Sequence, residues 1–459
     1  MFQSTEWLSS QVQSPMQLQN GSRVGVIGGG PAGSFFSFFL LENAKRLDLE
    51  LQLDIFEPRD FTTPGPAGCN MCGGIVSESL VQSLAAEGIR LPAETVQRGI
   101  GSYALHMDIG DVRIETPLKE KRIAAVHRGA GPRGMQGPPR PGLDAFLLSL
   151  AMERGAHLIR SRVDTVRCSN ANPTVTTSAG DHTYDLLAVA VGVNSSAKLF
   201  KDSGLRYLAP QSTRAYICEF CLGREAIERC LGSSMHVFLL NMERLDFAAI
   251  IPKDDYVTVC LLGRDVDKQL VQSFLDSVEV RACMPPEWEV PAEFCHCSPK
   301  ISISAARNLF FDRVVFIGDC GSTRLYKDGI GAAYRTSKSA AITAIFDGIS
   351  AQDFRREFWP LCKDISNDNR VGKFIYAVTR LIQASSTLRR GVWRMVAHEQ
   401  IETGGPRRMS SVLWDLFTGS APYTDVLLRT LHPVFVGQFL WEIVAGAVHP
   451  RSGNGRSQC

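Results

Sequence analysis

The run RVGVIGGGPAGSFFSFFLLENA, residues 23–44, constrains this chain more than any other stretch. A short β-branched segment gives way to Gly28-x-Gly30-x-x-Gly33 and then to a helix of apolar and small residues. At such a turn the first glycine lets the chain reverse tightly and the second admits a pyrophosphate to the backbone. The third lets the helix pack closely on its sheet. The helix N-terminus adds free N–H groups and a partial positive charge. A second strand, LQLDIFEP, is stopped by Pro58 and carries Glu57 at its tip, 24 residues beyond Gly33. A carboxylate there is placed to accept hydrogen bonds from a ribose hydroxyl, and the βαβ unit has about the 30 residues expected of a dinucleotide site. The plainer readings are a ligand-free glycine turn and an ordinary surface glutamate. The strand, the helix and the acid together favour the dinucleotide.

At 459 residues the chain is long enough for two or three parts. With 44% hydrophobic and 21% charged residues it has the composition of a protein with a well-filled core. A formal charge of +2 gives no global electrostatic case for nucleic acid as a partner. The first residues have neither a basic start nor an apolar run, so no secretory signal is expected. Nowhere do about 18 uninterrupted apolar residues occur, which argues against a spanning helix. The expectation is a cytoplasmic protein whose 13 cysteines are mostly reduced thiols.

Residues 1–22 read as a flexible tail, and 129–142, dense in Gly and Pro, as an extended loop. After the loop, LDAFLLSLAMERGA reads as an amphipathic helix, and DLLAVAVGVN as a buried parallel strand. Alternation over roughly 205–304 predicts antiparallel strands. Residues 305–350 return to strand, loop and long helix, and 351–459 have helical spacing of apolar groups. The expected fold is therefore α/β. A Rossmann-like FAD-binding domain comes from 23–204 and 305–350, a β-rich substrate domain from 205–304, and a helical C-terminal region from 351–459.

The choice of FAD rests on the downstream segment VVFIGDCGSTRLYKDGIGAAYRTSKSAA. It resembles the second FAD fingerprint of the p-hydroxybenzoate-hydroxylase-like flavoproteins. The resemblance implies that Asp319, after Gly318, bonds the ribityl chain, and that Gly329 and Gly331 open a helix facing the flavin pyrimidine edge. Reduced flavin carries negative charge there, which suits a helix N-terminus.

Further pieces over residues 23–350 are similar to the geranylgeranyl reductase family of that superfamily. AGCNMCGGIVSESL, with Cys72-Gly73-Gly74, is similar to its cysteine-glycine loop. RPGLDAFLLSLAMERGA supplies Arg140 and Asp144, and the resemblance brings Arg140 to the FAD. LDFAAIIPKDDYVTVCLLG resembles the strand pair that walls the substrate cavity, with Phe247 and Pro252 in the corresponding places. The chain departs from its relatives at Gly192-Val193-Asn194-Ser195-Ser196, where they carry a Gly-Ala-Asp-Gly-x-x-Ser turn. It also lacks the tryptophan of the strand motif.

Cys72 is the candidate catalytic residue, because a thiol on a glycine-rich loop facing flavin can donate a proton, form an adduct or orient substrate. A buried packing role is the alternative. The pairs Cys69/Cys72, Cys218/Cys221 and Cys295/Cys297 offer metal-ligand spacing but come from distant segments, and His296 alternates across a strand between two of the thiols. No metal is expected. The C-terminal run holds Trp414, Phe417, Phe435, Phe439 and Trp441 with few charges. It either packs on the body of the protein or contacts a membrane surface peripherally.

The leading expectation is an FAD-dependent oxidoreductase that reduces carbon–carbon double bonds of an apolar, isoprenoid-like small molecule. The alternatives are a flavin monooxygenase on a small aromatic or natural product and a non-catalytic electron-transfer flavoprotein. No second dinucleotide fingerprint is visible, which leaves NAD(P)H, ferredoxin or quinol as the electron donor.

Overall fold

A computed structural model describes residues 14, 16–116, 123–135, 140–168, 172–194, 197–402 and 405–448. The glycine motif lies between strand Arg23–Ile27 and helix Pro31–Arg46, as its residues require. That strand pairs in parallel with Gln52–Phe56 on one side and with Leu186–Val189 on the other. His157–Ile159 and Val314–Phe316 extend the sheet in parallel, and Phe310–Phe311 closes its edge antiparallel. The continuous apolar run at 186–189 is fully buried, as a strand covered on both faces must be. Helix Pro31–Arg46 packs against Gly329–Phe346. Phe35 and Phe39 each meet Tyr334 edge-on at 5.5 Å, and Ser337 Oγ donates to Ala32 O at 2.7 Å. Two segments nearly 300 residues apart in sequence thus form one layer of the domain.

The second large sheet runs Cys295–Cys297, Ser212–Cys221, Tyr256–Gly263, Leu245–Pro252, Ser234–Phe238, Ser102–Met107 and Gly110–Glu115, with Lys300–Ser302 also paired to Ser212–Cys221. Its pairing is antiparallel as expected except where Ser234–Phe238 runs parallel to Ser102–Met107. It therefore takes two strands from the 23–204 segment. The hairpin at 102–115 buries Tyr103, Leu105, Met107 and Ile114, a face that the β-rich sheet and the C-terminal helices cover.

Residues 351–448 are helical, ending in Trp359–Ala384, Ser386–Ile401, Arg408–Thr418, Tyr423–Thr430 and Pro433–Val448. Trp414, Phe417 and Phe435 are buried in one core with Phe247, Leu105 and Val237. Burial of each such side chain stabilises by about 1.5–3 kcal/mol. Phe439 packs at the edge of that core, while Trp441 is 69% exposed. Phe435 thus packs on the body of the protein, while Trp441 of the same helix is left exposed. Among the described residues no helix is long and apolar enough to cross a membrane.

The expected tail needs correcting over the part that is described. Leu18 is buried in the main core, Met16 O accepts the Ile349 N–H at 2.9 Å, and Ser14 Oγ donates to Asp353 at 2.6 Å. Polar composition hid these few anchoring contacts. Residues 1–13 and 15, Ser195–Ser196, and 136–139 of the Gly/Pro-rich loop lie outside the described residues.

Candidate functional site

A cleft of about 800 Å³ opens where the parallel strands end in the glycine turn. Its walls include Gly28, Gly30 and Glu57 from the first fingerprint and Asp319 and Gly329 from the second. The size falls within the usual range of ligand sites, roughly 300–1,000 Å³. Two helices start at its rim, Pro31–Arg46 capped by Gly30 and Gly329–Phe346. The first turn of Pro31–Arg46 can present N–H groups to an anion, while in the second helix the Gly331 N–H is taken by the Asp328 carboxylate.

At Gly30 an added Cβ would meet only Asn70 Nδ2, at 3.1 Å, and would otherwise project into the cleft. The backbone there is the floor of a cradle. Gly33 lies behind it, where a Cβ would sit 1.8 Å from Gly28 O, so it serves helix packing. Gly318 and Gly331 are also buried beside the cleft, at the start of the Gly318–Cys320 turn and in the first turn of the Gly329–Phe346 helix.

Glu57 is buried, and its two carboxylate oxygens accept the N–H groups of Gly29 and Arg59, both at 2.9 Å. Burial pushes its carboxyl up, opposed by those two hydrogen bonds. Each oxygen keeps a lone pair for a further donor. Burial likewise pushes the Asp319 carboxyl up.

Arg140 does not line this cleft; it pairs with Asp254 at 2.6 Å. The arginines in the wall are Arg59, Arg128 and Arg162, and Arg128 grips Asp144 with two bonds of 2.6 and 3.0 Å. The pairing follows from the backbone. Leu143 and Asp144, at the start of their helix, donate to His127 O and Arg128 O at 2.9 and 3.0 Å, which lays Arg128 against Asp144. Asn70 links this pair to the cysteine loop, donating to Asp144 while accepting from Arg59 at 2.5 Å. Gly192, Val193 and Asn194, of the departing turn, also line the cleft.

Cys72 is half-buried and its Sγ accepts the Gly74 N–H at 3.5 Å. It borders a second cavity of about 30 Å³, which shares Met71 and Arg128 with the cleft. His127, Glu219 and Lys253 face this cavity, and none was singled out from the sequence. Lys253 is 1% exposed, with Nζ 3.0 Å from Glu219 and 3.3 Å from His127 Nδ1. Burial works against the charge on Glu219, but Lys253 and His127 outweigh it and hold the carboxyl below its usual range. Burial and the Lys253 charge lower the pKa of His127 and favour its neutral form. The trio joins a charge pair to a neutral imidazole, all shielded from water, and can anchor or protonate a polar group.

Phe247 and Pro252 lie on the buried strand Leu245–Pro252. Phe247 packs against Phe417, and Lys327 Nζ sits 3.4 Å above its ring. Neither residue lines the two cavities just described. The cysteine pairs do not assemble a metal set among the described residues. Cys69, Cys72, Cys295 and Cys297 border the small cavity, whereas Cys218 is buried opposite His296 and Cys221 is exposed.

The fold is mixed α/β, a parallel sheet with a helical C-terminal region, and it matches the fold of solved flavoproteins. Over 90% of this chain and 99% of the other, the structure superposes on a geranylgeranyl bacteriochlorophyll reductase-like protein of Thermoplasma acidophilum, with a TM-score of 0.63 at 14% identity. A flavoprotein/dehydrogenase of Cytophaga hutchinsonii gives 0.60 at 13% identity over 93% and 98% of the two chains. A flavin-dependent brominase gives 0.59 at 14% over 87% and 99%. No protein-family profile and no curated protein sequence matches the chain.

Proposed function

We propose that this chain is an FAD-dependent oxidoreductase. The observation that carries the reading is the meeting of Gly28, Gly30 and Glu57 with Asp319 and Gly329 around one cleft. The residues fit the cofactor: Gly30 leaves the backbone bare for a pyrophosphate, and Glu57 has lone pairs for a ribose. Asp319 would hold the ribityl chain, and the N-terminus of the Gly329–Phe346 helix would face the flavin ring. When bound and reduced, FAD supplies hydride chemistry.

Within that class the favoured reaction is reduction of a carbon–carbon double bond in an apolar, isoprenoid-like substrate, as the cysteine-glycine loop and the first structural neighbour suggest. Cys72 would hold the proton that completes the reduction, with its Sγ fixed by the Gly74 N–H. The exposed apolar stripe of the last helix, with Leu440, Trp441 and Val444, supports a route for such a substrate from a membrane surface.

A second reading, hydroxylation of a small aromatic or natural product, is favoured by the cavity beside Cys72. Lys253, Glu219 and His127 face it and suit a polar substituent better than a chain of methylenes; at about 30 Å³ it would take such a substituent and not a whole substrate. The purified protein is expected to be yellow and to release FAD, not FMN, on denaturation. A protein that takes up neither flavin overturns the class. Anaerobic reduction of an isoprenoid double bond by the photoreduced protein would support the first reaction, whereas oxygen uptake coupled to hydroxylation would replace it with the second.

A further inference from the structure

A third polar cluster lies away from the cleft, inside the β-rich sheet. His106 and His236 stand on the adjacent parallel strands Ser102–Met107 and Ser234–Phe238, and Cys283 follows the short helix Val278–Arg281. All three are buried. Their inner atoms face one another: His106 Nε2 lies 2.8 Å from His236 Nδ1, and Cys283 Sγ lies 3.6 and 3.4 Å from those nitrogens. The outer nitrogens are held as well. His106 Nδ1 is 2.9 Å from Asp111 Oδ1, and His236 Nε2 is 3.4 Å from Leu231 O.

Those outer partners are both acceptors, so they draw an N–H from each ring. With one proton on each neutral ring, the two inner nitrogens then present lone pairs to each other at 2.8 Å. Such a contact is repulsive unless a cation lies between them. A proton would serve the two nitrogens alone. The Cys283 thiol, which donates to Glu279 O at 3.3 Å, also lies nearly equidistant from both nitrogens, and a metal ion would use all three donors. Imidazole ligands of metals characteristically donate their remote N–H to a carboxylate or a backbone carbonyl, the arrangement found on both rings here.

We propose that His106, His236 and Cys283 form a zinc-binding site. With zinc bonds of about 2.0–2.1 Å to nitrogen and 2.3 Å to sulfur, the two sulfur–nitrogen separations correspond to angles of roughly 100–110°, close to tetrahedral. The 2.8 Å between the nitrogens corresponds to about 86°, so the two rings would part by about 0.5 Å to admit the ion. The fourth position is left for a water or a small ligand. Two imidazoles and a thiolate suit zinc better than magnesium or calcium, which take oxygen donors. The charge also balances, since the dication offsets the Cys283 thiolate and the neighbouring Asp111 carboxylate. Binding exchanges the thiol proton for the metal: Zn²⁺ and the Cys283 S–H give a zinc–thiolate bond and release one H⁺. The ion would clamp two strands and the 279–284 turn into one unit. One of those strands pairs with Leu245–Pro252, so the site braces the sheet beneath the proposed substrate wall.

The test uses the full-length protein stripped with a chelator and titrated with Co²⁺, then with Zn²⁺ in competition. The wild type is expected to bind one ion per chain, with a sulfur-to-cobalt absorption band in the near ultraviolet that zinc abolishes. Cys283→Ser should lose that band and weaken binding at least tenfold, while Cys362→Ser, at another buried thiol, should keep both. Asp111→Asn leaves all three ligands in place and should weaken binding to a smaller degree, which keeps the test decisive if Cys283→Ser misfolds. No cobalt uptake by the folded wild type would overturn the site in favour of a proton shared by the histidines. So would a band that survives Cys283→Ser, or an affinity untouched by Asp111→Asn.

Discussion

Gly30→Val separates binding from folding at the cleft. The backbone at Gly30 has φ −68° and ψ −175°, an extended conformation that valine adopts readily. Its Cβ would touch only the Asn70 side-chain amide, so the variant should fold with a cost below about 1 kcal/mol. The two methyl groups would then stand where the backbone N–H groups must meet a pyrophosphate. A hydrogen bond to a charged group contributes about 1.5–3 kcal/mol, so losing two costs roughly 3–6 kcal/mol. At 1.4 kcal/mol per tenfold, FAD affinity should fall by about 10²–10⁴. The assay is quenching of flavin fluorescence on titrating FAD with apoprotein, with circular dichroism confirming an unchanged fold. Gly33→Val is the contrast: its Cβ would lie 1.8 Å from Gly28 O, so that variant should fail to fold. A folded Gly30→Val protein with wild-type FAD affinity would refute the placement of the dinucleotide.

Three further outcomes are expected. Cys72→Ser should retain flavin and lower turnover more than Cys69→Ser, measured in the same assay; equal turnover in Cys72→Ser and wild type returns Cys72 to a packing role. Lys327 is buried over Phe247, and burial lowers its pKa from the ordinary 10.5 to about 7. The unfolded chain therefore binds the extra proton between about pH 7 and 10.5, so this residue's destabilising effect is full below pH 7 and fades as pH rises. Lys327→Met should raise stability at pH 6–7 by several kcal/mol at most and flatten the alkaline rise, read by urea unfolding at several pH values; an unchanged pH profile refutes the buried charge. Full-length protein should float with anionic liposomes, and Leu440→Ser/Trp441→Ser/Val444→Ser should weaken this at least tenfold, since each large apolar group contributes on the order of 1.5–3 kcal/mol on burial. Wild-type protein that remains wholly unbound excludes the membrane route. Deleting residues after about 410 would be a poor test, because it removes Trp414 and Phe417 from the core.

The glycine-turn part of the cleft was legible because its residues are local in sequence. A glycine cradle and an acid at a strand tip occupy adjacent positions of one βαβ unit, and the periodicity of the flanking residues fixes where each points. Arg128 was not legible in the same way. Arg140 stands nearer in sequence to Asp144, yet Arg128 reaches it because backbone carbonyls at 127–128 cap the Leu143–Glu153 helix. The two faces of the C-terminal helix were not legible for another reason. When apolar residues surround a helix, composition cannot distinguish Phe435, buried, from Trp441, exposed; only the packed neighbours decide. Lys253, Glu219 and His127 come from three separate strands or strand ends, and His106, His236 and Cys283 from three segments spread over 177 residues. Neither set has a spacing to recognise. Each is created by strand pairing between segments remote in sequence, above all by the Ser102–Met107 hairpin joining a sheet whose other strands come later. The proposed cofactor site can thus be read along the chain, while the groups that would select a substrate or bind a metal exist only across the sheet.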